Sequence, residues 1–190
     1  MKKDAYVEYS RIAIISSLWA ASEVFIGNMF HQLNLPFKGM MLTVVPCFLL
    51  AFAFFYLKKP SSIMKVGITV AVVRMLLSWK FNPNIAMSIL CQSAAFYISI
   101  KLLGKNLLSS AIGGMLAQSW TYFQSYFFRM VFMGYNLEKI LEHIRKIEII
   151  QPIIEKVVLV FVVLWLIHVI PGIIAGLCGF KAGKNLSSEK

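Results

Sequence analysis

The chain has 190 residues, 59% of them hydrophobic and 14% charged, with a net charge of +11 and a mean hydropathy of +0.75. Soluble domains carry about 25% charged residues, so this composition excludes an ordinary soluble globule, and the long apolar runs predict transmembrane helices. The basic residues flank those runs without interleaved aromatics, which excludes nucleic acid as the partner they serve.

In chain order, spans are predicted at about 11–33, 39–57, 63–79, 84–103, 107–132 and 152–180. In the first, the small residues Ala20, Ala21 and Ser22 resemble a signal-cleavage site, but the apolar run continues through Val24–Phe30 and predicts a retained helix. The third is short and contains Lys65 and Arg74. Pro46 in the second and Pro171 in the sixth are positions where a helix kinks. Lys2, Lys3, Arg11, Lys58, Lys59, Lys65, Lys101, Lys105, Lys181, Lys184 and Lys190 fall on one side of this topology, against Lys38 and Lys80 in the first and third loops. The positive-inside rule then places both termini in the cytoplasm and the protein in the cytoplasmic (inner) membrane. The fifth loop, with Arg129, Lys139, Arg145, Lys146 and Lys156 among acidic residues, is the exception.

Within that loop, residues 137–150 form an amphipathic pattern. Leu137, Ile140, Leu141, Ile144 and Ile147 share one helical face, and Glu142 and Lys146 form a favourable i,i+4 pair on the other. The expectation is a helix lying over the outer face, either as a packed surface element or as a lid. The predicted fold class is all-α. Residues 1–190 make one integral membrane domain, a polytopic bundle of about six transmembrane helices plus an external amphipathic helix.

Polar residues inside apolar runs are costly against lipid and face an interior or a cavity. Glu23, Asn28 and His31 interrupt the first span, just before the turn Leu35–Gly39. Arg74 lies on the third span, Gln92 on the fourth, and Gln118, Trp120, Gln124 and Arg129 on the fifth. These nine residues, most of them in the outer half, are the candidate ligand contacts. Glu23 and Arg74 are read either as an ion pair holding two helices or as part of the site, and each glutamine either as an inter-helix bond or as a contact. His168, alone in the inner half, is expected to be a satisfied core histidine. Cys47, Cys91 and Cys178 are odd in number and form no Cys-x-x-Cys, and are expected to be small buried hydrophobes.

Glu23 and His31 lie about 80° apart around a helix and are not pre-arranged for a shared ion. The sequence contains no His-Glu-x-x-His, Gly-x-Ser-x-Gly or Walker motif, so the expectation is no enzyme, no metal and no cofactor. Two small-residue stripes predict helix contacts: Ala13, Ser17 and Ala21 on the first span, and Gly172 and Gly176 on the last. Each is read either as packing within the bundle or as a docking face for another membrane subunit.

In helix count, outer polar residues and the Ala13–Ser17–Ala21 stripe, the chain resembles the substrate-binding (S) components of energy-coupling factor transporters. That family carries an Ala-x-x-x-Ala-like stripe on its first helix, with serine standing at the middle position here. The resemblance implies a membrane subunit that captures a small polar molecule of the vitamin or precursor class in an outward-facing pocket. It also implies partners, a transmembrane coupling subunit and two ATPase subunits, beside the lipid bilayer and the ligand. Metal-specific members begin Met-His, whereas this chain begins Met-Lys-Lys-Asp, which disfavours cobalt or nickel. The alternative reading is a non-transporting scaffold subunit of a cell-envelope complex.

Overall fold

A computed structural model describes residues 2–33, 38–77, 83–133 and 157–188. The predicted amphipathic segment 137–150 and residues 35–37 of the predicted turn lie outside the described residues, as do the side chains of His31 and Arg129. Among the described residues every regular element is an α-helix: α1 (Lys2–Gln32), α2 (Lys38–Ala53), α3 (Ser61–Leu77), α4 (Pro83–Leu103), α5 (Leu107–Met133) and α6 (Val157–Ser188).

The described part of each predicted span falls on one helix, and the differences lie at the ends. α1 begins well before the predicted start, because Asp4 sits in its first turn, where a negative charge complements the helix dipole. α2 stops at Ala53, where the hydrogen bonds tighten. Phe54 N donates to Ala51 O at 3.3 Å, Phe55 N to Phe52 O at 3.4 Å and Tyr56 N to Ala53 O at 3.1 Å, the 3₁₀-type finish that satisfies terminal carbonyls. Pro46 and Pro171 are both accommodated inside continuous helices.

Three of the helices are long and apolar enough to cross a membrane, over Asp4–Phe30, Pro83–Leu103 and Leu159–Ser188, and α2 is a shorter apolar helix. Their outward faces carry bulky apolar side chains such as Phe25, Ile98, Leu102 and Ile174. A large exposed apolar surface of this kind marks contact with a membrane or a partner.

The helices form an open ring, α1–α3–α4–α5–α6 in order of contact, around α2, which touches α1, α4, α5 and α6. The core follows from that centre: Cys47, Leu50, Ala51 and Ala53 of α2 are fully buried, with Val66 and Val70 of α3 and Phe96 of α4 packed in the same cluster. α1 joins through one stripe, Ile12, Ile15, Ser16, Trp19, Ala20 and Glu23, all buried. That is the i, i+3, i+4, i+7 spacing of a helix with a single inward face.

Glycines set the closest approaches. A Cβ on Gly114 of α5 would lie 2.1 Å from Gly172 O of α6, one on Gly176 would lie 2.3 Å from Ser110 O, and one on Gly179 would lie 2.2 Å from Phe48 O of α2. Gly172 and Gly176 therefore pack within the bundle. Of the cysteines, Cys47 is buried and Cys91 half-buried, but Cys178 is exposed. It occupies the outer side of α6 while its neighbour Gly179 faces α2, which corrects the expectation of three buried thiols.

The end of the bundle nearest the termini is tied by polar contacts. Both Glu8 oxygens accept from Lys58 N at 3.1 Å, Ser62 Oγ donates to Glu8 Oε1 at 2.7 Å, and Lys58 Nζ pairs with Asp4 at 2.7 Å. Arg11 donates to Tyr56 O at 2.6 Å, and Lys105 Nζ donates to Leu57 O. The α4–α5 turn is capped on both sides. Gly104, at φ +78°, donates its N–H to Ile100 O at 2.8 Å, the left-handed stop that suits glycine. Asn106 Oδ1 accepts from Ser109 N at 2.7 Å while Ser109 Oγ accepts from Asn106 N at 3.2 Å, a reciprocal cap on α5.

Candidate ligand-binding cavity

At the opposite end, where α1 and α5 finish and α2 and α4 begin, the helices leave a cavity of about 180 Å³. It is lined by Glu23 of α1, Gly39, Leu42 and Thr43 of α2, Asn84, Ile85, Ser88, Ile89 and Gln92 of α4, and Thr121 and Gln124 of α5. A single water needs about 10–15 Å³ by a comparable measure, so the space suits a small ligand.

Gln92 is the hub of the wall. Its Nε2 lies 3.0 Å from Ser88 Oγ, 3.3 Å from Thr43 Oγ1 and 3.5 Å from Thr121 Oγ1. Thr43 and Thr121 sit 3.0 Å apart. Each also reaches a carbonyl of its own helix, Thr43 at Gly39 O (2.9 Å) and Thr121 at Ala117 O (3.1 Å). With their protons so directed, the hydroxyl oxygens offer lone pairs, which makes the amide nitrogen of Gln92 the atom that faces them. Its oxygen is left over. Gln124 behaves the same way, because Nε2 donates to Asn84 O at 2.6 Å and to Asn84 Oδ1. Gln92 Oε1 and Gln124 Oε1 are both buried without a hydrogen-bond partner among the described residues, a state that costs about 1–3 kcal/mol per group unless something fills it.

Glu23 is the charged member. It is 6% exposed, and its Oε1 accepts from Trp19 Nε1 at 3.3 Å. Among the described residues the salt bridge is Lys58–Asp4, so Glu23 and Arg74 do not form a contact ion pair. The Arg74 charge still lies near enough to attract Glu23.

The cavity thus gathers three of the nine predicted site residues: Glu23, Gln92 and Gln124. The other described ones lie elsewhere. Asn28 is exposed, off the inward stripe of α1, and Arg74 is half-buried on α3 and is not among the lining residues. Gln118 is fully buried on another face of α5, where Nε2 donates to Met40 O at 3.0 Å and its Cγ lies against Gly172; it holds helices together. Trp120 is half-buried outside the cavity. His168 is a core residue, its Nδ1 2.9 Å from Leu164 O and its ring 4.9 Å from that of Tyr122. Thr43, Asn84, Ser88 and Thr121 complete the wall without standing out in the sequence.

Among the described residues no group of three His, Cys, Asp or Glu side chains is placed to hold a metal ion. No protein-family model, curated protein or solved structure matches the chain.

Proposed function

We propose that the protein is a membrane substrate-capture subunit that takes up a small polar molecule of the vitamin or precursor class into this cavity. It works without chemistry on the ligand and relies on a separate ATP-driven module of a coupling subunit and two ATPases. In this reading all six helices span the inner membrane, both termini are cytoplasmic and the cavity opens outward. The observation that carries it is a small cavity at the end away from the termini, walled by four helices and holding buried acceptor oxygens left unmatched among the described residues. Concave sites with a few convergent polar groups on an apolar wall are the usual form of a small-molecule site. The distribution of lysine and arginine supports the orientation. Ala13, Ser17 and Ala21 are exposed on the face of α1 turned away from the bundle, which suits them to docking on a coupling subunit.

The test is native mass spectrometry of the gently purified chain beside its Gln92→Leu variant. The expected result is a bound small molecule in the parent and none in the variant. The same mass on both, or none on the parent, tells against the reading. Co-purification from native membranes checks the rest: a pair of ATPases supports uptake, whereas cell-envelope assembly proteins support a scaffold.

A further inference from the structure

The cavity has a definite chemical sense. Among the described residues, the two buried side-chain atoms left unmatched in its wall, Gln92 Oε1 and Gln124 Oε1, are both acceptors, and the one ionisable lining group is the Glu23 carboxyl. No described lysine or arginine lines it, and Arg74 does not reach Glu23 as a contact ion pair. A buried carboxylate and two orphan amide oxygens repel an anion and leave a neutral acceptor with nothing to meet. They match a positively charged donor. An ammonium group carries three N–H donors, and Glu23, Gln92 and Gln124 are among the acceptor side chains that line this space. Leu42, Ile85 and Ile89 supply an apolar wall for the rest of the molecule. A bare alkali ion suits the site less well, since about 180 Å³ far exceeds an ion that needs close oxygens on all sides.

We propose that the captured molecule is a small organic ammonium ion, its charge held by Glu23 and its N–H groups donated to Gln92 Oε1 and Gln124 Oε1. This rests on the capture reading above and specifies the class of its ligand.

The experiment uses the full chain in detergent and length-matched probes: propylammonium, butyrate and 1-propanol, with potassium chloride as the ionic control. Binding is read by the shift in thermal midpoint and by tryptophan fluorescence, to which Trp19 contributes through its bond to Glu23. Propylammonium should raise the midpoint of the parent in a saturable way, and the other three should not. Glu23→Gln should abolish that shift, and Gln124→Leu should weaken propylammonium binding about tenfold or more, the loss of one charge-assisted bond. If Glu23→Gln fails to fold, Glu23→Asp, which keeps the charge, should still bind propylammonium, and Gln124→Leu remains the deciding variant. Equal propylammonium binding by the parent and a folded Glu23→Gln overturns the proposal, because Glu23 then holds a proton and not a cation. Preferential binding of butyrate or propanol, lost in Gln92→Leu, overturns the ammonium class but leaves the capture reading standing. Failure of every probe, with no co-purified molecule on the parent chain, overturns both.

Discussion

The two ends of the bundle solve opposite problems with the same materials. Near the termini, Glu8, Arg11 and Lys105 reach the backbone of the α2–α3 turn, so the turn's polar atoms meet charged partners. Nearby, α6 lies against α5 and α2 at glycine-to-carbonyl distance. At the far end the helices stand apart, the polar side chains point at one another, and two amide oxygens of the cavity wall meet no partner among the described residues. One end is satisfied and closed while the other is unsatisfied and hollow. Stability and binding have thus been separated along the axis of one small bundle.

The largest test of that contrast is backbone proximity. Gly114→Val would push a side chain into Gly172 O, where even a Cβ sits 2.1 Å away. It should destabilise the protein by about 3 kcal/mol or more, the upper range for overpacking, seen as a lost monodisperse peak in size-exclusion chromatography. Gly39→Ala at the cavity, where a Cβ meets only Thr121 Cγ2 at 3.5 Å, should leave folding intact. Equal tolerance at both glycines would break the contrast.

A smaller effect is expected at the tied end. Glu8→Ala removes the acceptor for Lys58 N and Ser62 Oγ and should cost about 1 kcal/mol, measured by thermal unfolding, with ligand binding unchanged. Altered ligand binding in this variant would show that the two ends are coupled.

The smallest effect concerns pH. Burial holds the Lys105 ammonium below the ordinary lysine value of 10.5, partly offset by the nearby Glu8 carboxylate. Between the lowered value and 10.5 the unfolded chain binds more protons than the folded one, so this group makes stability rise with pH across that window. Lys105→Met should flatten the rise in a thermal midpoint series, and an unchanged slope would remove Lys105 from the account.

How much of this was legible before the fold depends on what each residue costs in lipid. The helices announce themselves, because apolar runs have few other uses. Glu23, Gln92 and Gln124 stand out because a carboxylate or an amide in such a run is expensive. Thr43 and Thr121 do not, since each hydroxyl bonds to its own helix and is cheap on any face. Gln118 and Gln124 look alike in sequence, yet six positions turn them about 120° apart on a helix, one toward α2 and α6 and the other toward α4. Asn28 could have been set aside by phase alone, because the stripe Ile12–Ile15–Ser16–Trp19–Ala20–Glu23 fixes the inward face of α1 and Asn28 falls off it. No periodicity in one helix foretells that α2, second in the chain, becomes the centre. That depends on contacts with α5 and α6, far along the sequence.

The centrality of α2 has one more consequence. With 16 residues it is about 24 Å long at 1.5 Å per residue, while α1, α5 and α6 have 31, 27 and 32 residues. A helix facing lipid on all sides would be stretched or would pull the bilayer thin around it. Ringed by its neighbours, α2 is free to be short, and its first two turns, with Gly39, Leu42 and Thr43, form one part of the cavity wall. The cavity wall is thus built in part on the shortest of the described helices, so helix length shapes the hollow together with its side chains.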